Sequence, residues 1–341
     1  MLSSTLRAVA LLSGLVSLLV AASGCGTPSF LITPVSNSYR LQERLVQSGS
    51  SGDKVLIVPV EGMLVNARVG GMFQAQENGV SLFTQQMRAA ARDKSVKAVV
   101  LRVNSPGGTV TASDTMYEII RDFRRKTGKP VVASTQEVCA SGGYYVCCAA
   151  DKIVTQPTSV VGSIGVLMNT MEFTGALGKL GIRADSIKSG PLKDMGSPYR
   201  SMEQPERAVM QEMVDEYFNR FMDVVSSNRP VQEARPSLPL KEDYRGVYSG
   251  RVFSGLRAVE LGLADQAGRL DDAIVLAKQM GNAKGAKVIM YKRPYGYGGS
   301  IYASGDSTPQ PHAQSQGNVL QLQLPDSRLF LPSGFYYLWE P

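Results

Sequence analysis

Lys97-Ala98-Val99-Val100-Leu101-Arg102-Val103-Asn104-Ser105-Pro106-Gly107-Gly108 is the stretch that decides the fold. Its first half is an apolar, β-branched run of strand length, and its second half is a glycine-rich turn. Outward from it the same alternation repeats. Val55 to Val60 precedes it as a buried strand, and Ser81 to Asp93 carries a helical pattern between the two. A helix over Thr111–Arg125 follows, ending near Gly128 and Pro130; then come a strand over Pro130–Ser134, a helical stretch after Ser141 and a strand over Lys152–Thr155. Strands alternating with helices at this spacing predict βαβ units and an α/β fold. Further on, the patterns predict a helix over Thr174–Leu180, a strand over Arg183–Ile187 and a long amphipathic helix over Glu203–Ser227. Short helices over Gly255–Leu263 and Leu270–Met280 and a closing strand over Lys287–Tyr291 complete the body.

The chain has 341 residues and a single histidine, His312, in the polar segment Pro309–Gln314. A triad built on imidazole, or a zinc site with two histidines, would have to draw on that residue alone, and the segment reads as a solvated tail. Any hydrolytic chemistry therefore runs without histidine, and no metal or cofactor site is indicated. The net charge of +7 is dispersed, with no run of five Lys/Arg, so no nucleic-acid track is expected. A mildly basic surface suits an anionic membrane.

Residues 1–24 read as an export signal, with Arg7 before an uncharged Ala8–Val20 core too short to span a bilayer. Ala21-Ala22-Ser23-Gly24-Cys25 resembles a bacterial lipoprotein processing site, which would make Cys25 a lipidated first residue and place the protein in the cell envelope, facing away from the cytoplasm. Residues 25–54 read as a polar spacer, 55–293 as the folded body, and 294–341 as a flexible Gly/Ser/Gln-rich tail. The tail's aromatic end, Phe335-Tyr336-Tyr337-Leu338-Trp339, is open to two readings: a disordered end, or an element docking on another subunit, the membrane or the protein's own cleft. Cys139, Cys147 and Cys148 read as small buried apolar residues, since an odd number is a poor disulfide framework.

Phosphate-cradling loops are absent, and Ser51-Gly52-Asp53-Lys54 is an SxxK match without its companion motifs. Two glycine-rich segments remain, each at the C-terminal end of a strand, where open α/β sheets place their sites. Asn104-Ser105-Pro106-Gly107-Gly108 can offer backbone amides to an oxyanion, and Ala140-Ser141-Gly142-Gly143-Tyr144-Tyr145 sets a hydroxyl at a helix start. Taken singly, either is as well explained by a turn and an N-cap.

Together they are collinear with Val161-Gly162-Ser163-Ile164-Gly165-Val166, Ser189-Gly190-Pro191-Leu192-Lys193-Asp194 and Gly250-Arg251-Val252-Phe253-Ser254-Gly255. In these five motifs the chain resembles signal peptide peptidase A, a family of membrane-associated serine proteases, over residues 55 to 293. The resemblance implies a ClpP/crotonase-like ββα superhelix assembled into homo-oligomeric rings. It further implies Ser141 as nucleophile, Lys193 as general base, Ser163 as the hydroxyl orienting that lysine, and the Gly108 amide as oxyanion donor, with sites that subunit interfaces help to form. The substrates it implies are hydrophobic peptides such as released signal peptides. A lysine acts as a base only when neutral, which burial in an apolar cleft favours.

The sequence departs from the family pattern at Cys139, Cys147 and Cys148, where small or aliphatic residues are usual, and in its tail and Cys25. Two rival readings are a non-catalytic ring-forming scaffold of the same fold and a crotonase-like acyl-CoA enzyme. A scaffold has no need of Ser141, Lys193, Ser163 and the glycine pair together, and coenzyme A is cytoplasmic.

Overall fold

The computed structural model describes residues 40–67, 77–233, 245–294 and 334–339. The predicted signal segment, Cys25 and His312 lie outside them. A mixed sheet runs in the order β1-β10-β2-β3-β4-β5-β9. Its strands are β1 (Gln42–Gln47), β2 (Lys54–Leu64), β3 (Val96–Thr109), β4 (Val131–Ala140), β5 (Lys152–Thr155), β9 (Gln266–Ala267) and β10 (Lys287–Lys292). Strands β10, β2, β3, β4, β5 and β9 are parallel to their neighbours, and β1 closes one edge antiparallel to β10.

Alternate residues of β2 serve two cores, as a period of two requires. Leu56, Val58 and Val60 pack on one face with Phe83, Met116, Ile120 and Phe221. Val55 and Ile57 pack on the other with Val100, Val132, Leu270 and Ile274. The first face is covered by α1 (Gly79–Arg92), α2 (Val110–Thr127), α3 (Gly142–Cys147) and α5 (Gln204–Asn228); the second is covered by α7 (Leu270–Met280). Pro59 is tolerated in β2 because β10 stops pairing at Ile57, leaving the proline outside that ladder.

Helix boundaries follow local chemistry. Asn78 caps α1 by accepting the Ser81 amide at 3.1 Å. Thr109 opens α2, and Gly128 ends it in the left-handed conformation, φ 65°. Residues 252–254 form β8, followed by α6 (Gly255–Glu260).

Between Val103 and Ser105 the β3–β4 register jumps from Val103↔Thr135 to Ser105↔Cys139. One residue of β3, Asn104, thus lies opposite three of β4, and its side chain accepts the Val138 amide at 3.1 Å within this bulge. Beyond it the strands take different partners: the end of β4 pairs with β6 (Val160–Gly162), and the end of β3 pairs with β11 (Gly334–Leu338). The site forms where they part.

Two expectations are corrected, and one of the two readings of the tail's aromatic end is decided. Gln42–Gln47, within the predicted spacer, is a strand on the sheet edge. Arg183–Ile187 is no strand: all five residues are exposed and none enters a ladder. The aromatic end of the tail is ordered: β11 lies antiparallel between β3 and β7 (Leu167–Asn169), with Tyr337 buried.

Candidate active site

Ser141 stands at the junction of β4 and α3 with φ 50° and ψ −117°, a sparsely populated conformation for a residue with a side chain. Such strain persists only where surroundings enforce it. Here the Ser141 amide donates to the Gly162 carbonyl at 2.7 Å, and the Ser141 carbonyl accepts from the Tyr145 amide at 2.8 Å. Ser141 occupies the N-cap position, yet its side chain makes no capping bond, so the hydroxyl is not there to cap the helix. A strand-to-helix turn that spends strain to present an unbonded hydroxyl is the geometry of a nucleophile elbow.

The glycines that follow are dictated by space. A Cβ on Gly142 would lie 2.3 Å from Ser113 Oγ, and one on Gly143 would lie 2.7 Å from the Ser105 carbonyl oxygen. Across the gap, Ser105 Oγ donates to the Gly62 carbonyl at 2.6 Å and accepts the Gly107 amide at 3.1 Å, turning the backbone of β3 towards Ser141. Gly107 has φ 106°, and a Cβ there would meet the Tyr337 carbonyl oxygen at 2.0 Å and the Gly142 nitrogen at 2.7 Å. Gly108 lies in register with Leu64 on one side and Tyr337 on the other.

Behind the turn, Tyr145 packs edge-on to Tyr117 and Phe221 and stacks on Tyr337, with ring centroids 5.0–5.2 Å apart. Its hydroxyl donates to Asp114 at 2.5 Å, and Arg220 pairs with the same carboxylate at 3.0 Å. Burial, with the Asp114 charge beside it, holds the Tyr145 phenol far above its usual ionisation range. This anchor gave no sequence signal, because Asp114, Tyr145 and Arg220 are joined only by the fold.

Ser163 follows Gly162, is 7% exposed and also has positive φ, 51°. Its amide donates to the Arg251 carbonyl at 2.8 Å, which ties the Val161–Val166 motif to the Gly250–Gly255 motif. Of the three non-glycine residues with positive φ among the described residues, two are Ser141 and Ser163.

Lys193 stands apart. It lies on a turn over 191–196 and is exposed, against the expectation of a buried lysine. Among the described residues no hydrogen bond or ion pair links its side chain to Ser141 or Ser163. Its neighbour Asp194 pairs with Lys188 and Arg200 at 2.7 Å each, and Arg200 also binds Glu206 at the start of α5. Arg200 draws the Glu206 carboxyl down to about 2, aided by the Glu203 amide, and holds Asp194 well below the usual carboxylate range. The segment that carries Lys193 also exposes Phe173, Leu180, Ile182, Ile187 and Leu192.

Cys139, Cys147 and Cys148 are fully buried, as expected of small apolar residues, but the sulfurs of Cys139 and Cys147 lie 3.2 Å apart. No group of three or more metal-ligating side chains occurs among the described residues.

Residues 123–284 match peptidase family S49, and residues 57–161 match the Clp protease family, so the parallel sheet described above is of the ClpP/crotonase-like type. A signal peptide peptidase SppA of Enterococcus faecium is 34% identical over 75% of this chain and 72% of its own length. A protease of Methanocaldococcus jannaschii is 35% identical over 65% of this chain and 68% of its own length. Protease 4 of Salmonella typhi is 35% identical over 76% of this chain but only 40% of its own length. The S49 match covers the strained Ser141 turn, the Ser163 turn and the Lys193 segment together, and with these relatives it shows that the chain belongs to peptidase family S49, the signal peptide peptidase family of serine proteases.

Proposed function

We propose that this S49 protease is an endopeptidase that cleaves hydrophobic peptides such as released signal peptides with a Ser141–Lys193 dyad. The observation that carries this reading is the strained turn at Ser141, whose hydroxyl is left without a capping bond opposite Gly107 and Gly108. In the reaction Ser141 Oγ attacks the peptide carbonyl while the neutral Lys193 amine takes its proton. The Gly108 amide receives the developing oxyanion, and Lys193 returns the proton to the leaving amine. Ser163 Oγ holds the lysine in line.

Because Lys193 is exposed on an apolar segment, the reading is that a second copy of the chain covers that segment in a ring. There Lys193 of one copy meets Ser141 of the next, and the contact supplies the desolvation a basic lysine needs. The extended path of β11 beside Gly107 and Gly108 supports a groove that receives a peptide as an added antiparallel strand. The signal-like residues 1–24 and Cys25 support export and a lipid anchor at the envelope membrane. No helix of the described residues is long and apolar enough to cross a membrane.

The test compares cleavage of an apolar signal-peptide substrate by the wild type, Ser141→Ala and Lys193→Ala. Loss of turnover in both variants, with labelling by a serine-directed phosphonate abolished in Ser141→Ala and sharply slowed in Lys193→Ala, supports the dyad. Equal rates in all three overturn it.

A further inference from the structure

The nucleophile is bracketed by two thiols. Cys139 is the penultimate residue of β4, two residues before Ser141, and Cys147 ends α3 six residues after it. Their side chains converge beneath the turn, with the sulfurs 3.2 Å apart in a site closed to solvent. A disulfide needs a sulfur separation of about 2.05 Å, so roughly 1 Å of approach, shared between two side chains, would close the bond. The adjacent Cys148 lies instead against Tyr144. The geometry thus singles out one of the three pairings that three cysteines allow.

We propose that Cys139 and Cys147 form a disulfide that clamps the strand-turn-helix element presenting Ser141, with Cys148 left as a thiol. The oxidant is of the disulfide class, a small disulfide or a thiol–disulfide oxidase of the export compartment. One cysteine thiolate attacks the oxidant's disulfide, forming a mixed disulfide and releasing one thiol. The second cysteine attacks the protein-side sulfur of that mixed disulfide, forming the Cys139–Cys147 bond and expelling the second thiol. The chain loses two hydrogens and the oxidant is reduced to two thiols.

Entry is expected before the fold closes. The contact with Cys139, together with burial, pushes the Cys147 thiol well above its usual range, and burial pushes Cys148 up to about 12. Thiols held neutral and out of solvent exchange slowly in the folded state, and a bond made during folding is shielded in the same way.

The clamp goes beyond the proteolytic reading, and its test does not depend on activity. The full chain, reduced and unfolded, is refolded with oxidised or with reduced glutathione; free thiols are then alkylated in denaturant and the digest is mapped by mass. Protein produced by export and never unfolded is mapped alongside. With oxidised glutathione, a Cys139–Cys147 linked peptide two hydrogens lighter than the dithiol form is expected, with Cys148 alkylated, and Cys148→Ser retains the link. Hydrogen exchange over residues 139–147 is expected to be slower in the linked form. Alkylation of both Cys139 and Cys147 in the exported and oxidatively refolded protein, linkage through Cys148, or unchanged exchange in the linked form would overturn the proposal.

Discussion

The amide of Ser141 donates to the carbonyl of Gly162 at 2.7 Å, so the backbone of the proposed nucleophile is held by the residue that immediately precedes Ser163. Gly162 accepts this bond with φ 110°, and a Cβ there would lie 3.0 Å from the Arg251 carbonyl oxygen and 3.1 Å from the Phe253 ring. Gly162→Ala forces either the strained φ, at about 1–3 kcal/mol, or a shift that breaks the bond. The expected outcome is a lower urea midpoint together with slower phosphonate labelling of Ser141. A variant with unchanged labelling would show that Ser141 holds its conformation without Gly162.

β11 fills the slot beside Gly107 and Gly108, and its Tyr337 ring stacks on Tyr145 while the hydroxyl donates to the Tyr217 carbonyl at 2.7 Å. Two effects of Tyr337→Ala should separate. Loss of the buried ring costs about 3–5 kcal/mol of stability. A loosened β11 also competes less with a peptide entering along β3, so KM for an extended substrate falls while the unfolding midpoint drops. A raised KM would mean that β11 builds the substrate groove instead of occupying it.

The central fold was legible where burial on both faces wrote it into composition. Val55–Val60, Lys97–Val103 and Lys152–Thr155 are apolar runs because they lie inside a covered parallel sheet. Gln42–Gln47 was not, because an edge strand half open to water keeps polar residues and needs no alternation. β11 was hidden for another reason: its partners lie more than 160 residues earlier, and no local pattern records a pairing of that range. At the site, Ser141 and Ser163 carry a local signature, since their turns need glycine neighbours. The exposure of Lys193 leaves no such mark, as it depends on what lies against the 191–196 turn.

Arg200 ties the Lys193 turn to α5 through Asp194 and Glu206. Glu206 is depressed from an ordinary 4.5 to about 2 by that guanidinium, so its contribution to stability is fully present above about pH 4.5 and is lost as pH falls towards 2. Arg200→Ala should therefore be less stable than the wild type at pH 6, and the gap in urea midpoint should shrink at pH 3. Turnover should fall while the rate of thermal unfolding of the sheet core, followed by exchange in β2 and β3, changes little. An equal stability gap at both pH values would rule out the ion pair as its source.

The exposure of Lys193 among Phe173, Leu180, Ile182, Ile187 and Leu192 makes the proposed dyad testable by mixing. Ser141→Ala and Lys193→Ala each remove one group, so each alone should be inactive. If Lys193 of one copy serves Ser141 of another, a mixed assembly contains contacts where an intact lysine meets an intact serine. Dissociating the two variants, mixing them and reassembling should then recover a substantial part of wild-type turnover. A dyad within one chain allows no such site, because every chain in the mixture lacks one of the two groups. Charge placed in the apolar segment separates the cases further: Ile187→Asp should block assembly and, with it, turnover. If that variant were dispersed to single chains and still cleaved at the wild-type rate, the lysine would have to reach its serine by folding of its own segment.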